Sequence, residues 1–247
     1  MDLATRLATI KERLTLAAQQ SGRQAGDITL IAVSKTHPAE AVIEAALLGQ
    51  QVFGESYSQE ALAKISQIQA SNQVPQELKK NISWHFIGHL QSRKAKDVMG
   101  RFQLIHTIDS LKLAQALQNK IEQLASMGDP VNTLTQDVLV QVNIGSEPQK
   151  SGISEADLPA LVEQIKQMPN LRLKGLMCIP PFDRQPEEAR PYFAQLRHLR
   201  NELENDFGKG CLPHLSMGMS QDFEIAIEEG ATLVRVGTDI FGSRPVL

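Results

Sequence analysis

The chain has 247 residues, 42% of them hydrophobic and 21% charged, which supplies a sizeable core and excludes a disordered chain. A formal net charge of −3 gives no broad positive field, which speaks against a dedicated nucleic-acid protein. Cys178 and Cys211 have no CxxC or metal-ligand neighbour, no apolar run reaches membrane-spanning length, and the opening MDLATRLATIKERL lacks the uninterrupted apolar segment of a secretory signal, so a reducing, cytoplasmic setting away from membranes is expected.

Leu3, Leu7, Ile10 and Leu14 recur at helical spacing and predict an opening helix over about 2–21. TLIAVS (29–34) reads as a first strand, and Pro38 with Glu40 then suits the first turn of a helix carrying Val42 and Ala46 on one face. QVFG and WHFIG follow as strands, with the polar stretch ASNQVPQELKKN (70–81) between them read as a surface loop. QLIHTI is a fourth strand, and Leu111, Ala114, Leu117, Ile121 and Leu124 mark the next helix face. A second polar stretch, MGDPVNTLTQ (127–136), reads as a loop before the strand DVLVQVN. Ser154 and Asp157 resemble a capping box ahead of a helix with Leu158, Leu161, Val162, Ile165 and Met168 on one face. LRLKGLM, PHLSM and TLVRVG are the remaining strands, and Ala189, Tyr192, Phe193, Leu196, Leu199 and Leu203 form the helix after the first of them.

These strands are short and often apolar on both faces, as in a parallel sheet covered by helices. Their number, about eight strand–helix units, is the number that closes a (β/α)8 barrel. A doubly wound open sheet is the competitor, but its G-x-G-x-x-G first turn is absent. No linker, repeat or low-complexity tract interrupts the pattern, so one domain over 1–247 is expected.

In a barrel, chemistry collects at the carboxyl ends of the strands. Lys35 ends the first strand on the same face as Ile31 and Val33. Pointed inward, its ammonium would be desolvated, which lowers a lysine pKa and frees the amine for Schiff-base chemistry with an aldehyde. A lysine snorkelling to water is the bland alternative. On the last strand Arg235 shares a face with Leu233 and Gly237, and a buried guanidinium must find partners. Gly237 and Thr238 open a helical turn, and Ser216, Gly218 and Ser220 open another after the seventh strand. Such turns are phosphate seats in many barrels, although most are caps and nothing more. The six histidines are scattered without a metal-ligand pair, DFEIAIEEG reads as a charged outer helix face, and QSRKAKD reads as a small solvated basic patch.

AVSKT, FGESY, WHFIGHLQ, HTIDS, VNIGSEPQKSG, LRLKGLMCIPP and LSMGMSQDFEIAIEEGATLVRVGTDIFG together resemble the pyridoxal phosphate homeostasis family, in order from about 28 to 244. The resemblance implies a single-domain α/β barrel like the N-terminal domain of bacterial alanine racemase. It also implies pyridoxal 5′-phosphate (PLP) held as an internal aldimine, without established turnover. Lys35 matches the Schiff-base lysine. Ser216, Gly237 and Thr238 match phosphate-binding positions, and Arg235 matches the arginine facing the pyridine nitrogen. Asn143 and Met177 fall in strand-end motifs near the cofactor, and His89 and Gln91 in the loop after the third strand. The chain departs from the family at Ser56 and Arg93, where asparagines are usual. The implied role is buffering PLP and delivering it to PLP-dependent apo-enzymes, as a monomer or weak dimer. A low-activity amino-acid racemase and a PLP-regulated binding module are the alternatives. Racemisation needs a second acid/base, in alanine racemase a tyrosine from a separate domain. Here Tyr192 reads as helix packing, and Tyr57 as loop packing or a residue near the site.

Overall fold

In the computed structural model, residues 1–72, 74–126, 135–181 and 185–243 are described. The expected loop over 127–136 lies, except for its last two residues, outside them. Asp2 caps α1 (Leu3–Gln20) by accepting from Thr5 N at 2.8 Å. The helix buries Leu3, Leu7, Ile10 and Leu14 on one face, the stripe its spacing predicts.

Strand and helix then alternate: β1 (Thr29–Val33), α2 (Ala39–Leu47), β2 (Val52–Glu55), α3 (Ser58–Ala70), α4 (Gln76–Asn81), β3 (Ser83–Phe86), α5 (Ala95–Val98), β4 (Leu104–Ile108) and α6 (Leu111–Ser126). The second half runs β5 (Gln136–Val142), α7 (Leu158–Lys166), β6 (Leu171–Cys178), α8 (Arg190–Phe207), β7 (His214–Ser216), α9 (Phe223–Glu228), β8 (Leu233–Val236) and α10 (Thr238–Phe241). Every neighbouring pair is parallel, and β8 returns to β1 with Ile31 opposite Arg235, closing the eight-stranded barrel.

Closure divides the apolar residues into two layers. Ile31, Leu104, Leu139, Met177 and Leu233 pack inside the barrel. Their strand neighbours, Leu30 and Ala32 on β1 for example, pack outward beneath the helices. Most strands are therefore dry on both faces, which accounts for the missing polar alternation; the start of β6, with exposed Arg172, is an exception. Gly54 marks how tight the inner layer is: a Cβ there would stand 2.8 Å from the Ile31 side chain.

Two expectations are corrected. The stretch 70–81 is not all loop, because α4 occupies its second half. Pro75 precedes the helix, Glu77 lies in its first turn and Lys79 and Lys80 in its last, the charge order a helix dipole favours. Lys79 is buried and donates to Gln69 O at 2.8 Å, and Leu78 packs on the core. Pro38 stands just before α2, at its cap, and not inside its first turn.

α1 lies outside the strand–helix alternation and packs on α9 and α10. Ile10, 2% exposed in the outer layer, should on substitution by alanine lower stability by ~2–5 kcal/mol; the urea midpoint of Ile10→Ala measures this.

Candidate functional site

The carboxyl ends of the strands surround a cavity of about 580 Å³. β1 brings Val33 and Lys35 to it, because alternation continues the inward face of Ile31. β8 brings Arg235, followed by Gly237 and Thr238. The turn after β7 adds Ser220 and Asp222. That turn needs Gly218, whose φ of +89° is glycine territory and whose Cβ would strike Ala226 and Phe223.

Arg235 is buried, and its guanidinium is satisfied from within the barrel. Nη1 donates to Ser216 Oγ at 2.5 Å and Nη2 to the Cys178 carbonyl at 2.9 Å. Ser216 Oγ lies 2.8 Å from His106 Nδ1, and His106 Nε2 lies 3.0 Å from His85 Nδ1. Donor counting orients this row. Arginine only donates, so the Ser216 hydroxyl accepts from it, and the acceptor within reach of the hydroxyl's own proton is His106 Nδ1. His106 then carries its proton on Nε2 and donates to His85. Burial pushes His106 well below its ordinary pKa and His85 down to about 4, with neighbouring histidines and, for His106, Arg235 acting in the same direction. Both imidazoles are neutral, as the row requires. Burial likewise pushes the Cys178 thiol up to about 12, leaving it inert.

Lys35, Arg235, Gly237 and Thr238 thus converge on one cavity. Ser216 does not line it: its hydroxyl is buried and committed to Arg235 and His106. Ser220, four residues on, lines it instead. Met177 belongs to the inner packing layer. Asn143 folds onto its own loop, donating to Glu147 O at 2.9 Å and accepting from Glu147 N at 3.2 Å. His89 lines a smaller cavity of about 220 Å³ that shares Ile87, Lys150 and Ile179 with the first. It lies 3.1 Å from Ser151 Oγ and 3.5 Å from Asp109. Gln91 is exposed and accepts from Arg93 Nε at 2.9 Å. Of the two family departures, Ser56 lines the main cavity and Arg93 does not. Tyr192 packs on the core, whereas Tyr57 is 57% exposed. Sequence reasoning missed the His85–His106–Ser216 row; two histidines of inward parity on adjacent strands were its only signal. Among the described residues no group of three or more His, Cys, Asp or Glu side chains could hold a metal ion, and no helix is long and apolar enough to cross a membrane.

The family model "Alanine racemase, N-terminal domain" matches residues 6–245, and the chain belongs to that class of barrel. A Pseudomonas aeruginosa pyridoxal phosphate homeostasis protein is 45% identical over 98% of this chain and 96% of its own length. Its Aquifex aeolicus counterpart is 41% identical over 99% of both chains. Among solved structures, PipY of Synechococcus elongatus PCC7942 with PLP bound superposes with a TM-score of 0.80 at 36% identity, covering 98% of this chain and 100% of that one. Within its class, the chain is a member of the pyridoxal phosphate homeostasis protein family.

The buried histidines carry a pH signature. The unfolded chain takes up the protons that the folded interior refuses, so stability falls as pH drops from about 6.5 to about 4. His85 alone contributes a loss on the order of 3 kcal/mol across that window. Urea midpoints between pH 7 and 4 should show it, and His85→Asn should flatten the profile relative to the parent.

Proposed function

We propose that this chain binds PLP through Lys35 and serves PLP homeostasis, holding the cofactor and releasing it to PLP-dependent apo-enzymes. The observation that carries this reading is the convergence of a strand-end amine, Lys35, and a buried donor-only cation, Arg235, on one cavity of about 580 Å³. That volume falls inside the ~300–1,000 Å³ range of small-molecule pockets. The PLP-bound PipY relative and the homologous homeostasis proteins support the same reading.

The residues fit the group. Bound here, PLP supplies an aldehyde that condenses with a primary amine and loses water. Lys35 offers that amine. Arg235 can only donate, so a ligand atom set against its cavity face must be an acceptor, which an unprotonated pyridine nitrogen provides. A carboxylate in its place would favour a protonated ring and stronger carbanion chemistry, so the arginine speaks for holding over turnover. Ser220 and Thr238, which carry hydroxyls, line the cavity, as do Gly237 and Asp239 around the first turn of α10, where backbone N–H groups lack intrahelical acceptors. They suit the phosphate. Exposed Gln185 and Pro186 on the rim leave the site within reach of solvent, which suits exchange. Racemisation needs proton transfer on both faces of the reacting carbon, and neither Tyr57 nor Tyr192 lines the cavity.

PLP loading followed by borohydride reduction and peptide mapping should place the adduct on Lys35. Lys35→Ala should fold but lose both the adduct and the yellow absorbance. An adduct on another residue, or none, overturns the reading. Ser220→Ala and Thr238→Ala should each weaken PLP binding roughly two- to ten-fold, the worth of one hydrogen bond, as measured by spectrophotometric titration.

A further inference from the structure

The backbone carrying Lys35 is gripped from the outer side of the barrel wall. Lys35 lines the cavity, so its neighbour Ser34 faces the helices. Ser34 Oγ donates to Glu55 Oε1 at 2.7 Å. Lys64 Nζ, from α3, donates to the Ser34 carbonyl at 2.8 Å, to the same Glu55 oxygen at 2.5 Å and to Glu60 Oε1 at 3.1 Å. The Thr36 backbone N–H donates to Glu60 Oε1 at 2.6 Å. The residues on both sides of Lys35 are thus tied to one charge cluster.

Two features show that this cluster does more than fill space. Thr36 has a φ of +66°, which a β-branched residue adopts only when its surroundings over-determine it. Glu55 is 0% exposed, and its Oε2 has no hydrogen-bond partner among the described residues. A buried ion pair is a poor route to stability compared with apolar packing, and an orphaned carboxylate oxygen makes it poorer. What the cluster supplies is direction: five bonds fix where the chain turns at the mouth of β1.

Resting on the PLP reading above, we infer that Glu55, Lys64 and Glu60 are positioning residues that aim the Lys35 amine at the carbonyl carbon of a bound aldehyde. They touch neither cavity nor ligand: none of the three lines the cavity. Their effect falls on the covalent link and leaves the phosphate and ring contacts of β7 and β8 alone.

The test compares two ligands, PLP and pyridoxine 5′-phosphate, which keeps the ring and phosphate but has an alcohol in place of the aldehyde. The variants are Glu60→Ala, which removes the bond to Thr36, the double variant Glu55→Leu/Lys64→Met, which removes both buried charges together, and Glu60→Gln, which restores an acceptor. The first two should weaken PLP binding ten-fold or more and slow formation of the borohydride-trapped Lys35 adduct, while pyridoxine 5′-phosphate binds within two-fold of the parent. Glu60→Gln should recover most of the loss. Equal losses for both ligands, or none for either, would overturn the inference. Should the double variant not fold, Glu60→Ala on its half-exposed residue decides alone. Lys35→Ala keeps the two readings apart: unchanged PLP affinity there sinks the Lys35 assignment itself, whereas loss there beside parent-like binding in Glu60→Ala sinks only the positioning.

Discussion

A charged guanidinium inside a closed barrel sets most of what surrounds it. Arg235 cannot shed its charge and cannot accept a hydrogen bond, so each group it meets must present a lone pair. Inside the barrel those lone pairs come from the Cys178 carbonyl and the Ser216 hydroxyl. The hydroxyl then needs somewhere to send its own proton, and His106 must stay neutral to receive it. His85 in turn must stay neutral to receive from His106. The row that starts at Arg235 on β8 thus runs through two histidines, on β3 and β4, that burial keeps neutral. The side of Arg235 that faces the cavity obeys the same rule: it can donate there and cannot accept.

Much of the fold was legible because the barrel leaves few polar positions on its strands. Most strands stand out as short, largely apolar runs, and Lys35 and Arg235 stand out as charges at or beside the ends of two of them. Where a core-facing position carries charge, the signal fails. α3 buries Ala61 and Ile68 but also Lys64, so its apolar stripe is interrupted and periodicity overlooks the helix. α4 is hidden by its polar composition, since only Leu78 and the stem of Lys79 turn inward.

The site was legible in its residue types and less so in their partners. Ser216 and Ser220 occupy the same strand-end turn and look equivalent as a string. Only the register that sets β7 between β6 and β8 shows that Ser216 is spent on Arg235 while Ser220 reaches the cavity. The same holds for Glu55, Glu60 and Lys64. As sequence they are ordinary helix and strand charges; strand pairing brings Glu55 beside Ser34 and turns them into a clamp, buried at Glu55 and Lys64. Arg235 and the Glu55–Lys64–Glu60 cluster lie on opposite sides of the barrel wall. Arg235 faces the cavity, and the cluster faces the backbone beside Lys35.

The amino-terminal helix also bears on that division. α1 is not one of the eight repeating units, yet Arg6 donates to Ile240 O at 2.7 Å and Arg13 reaches Asp239 at 3.3 Å, both in the short helix that carries Thr238. A single seam therefore joins the start of the polypeptide to the wall beside Gly237. That wall is thus held by contacts spanning nearly the whole length of the described chain, from Arg6 to Ile240.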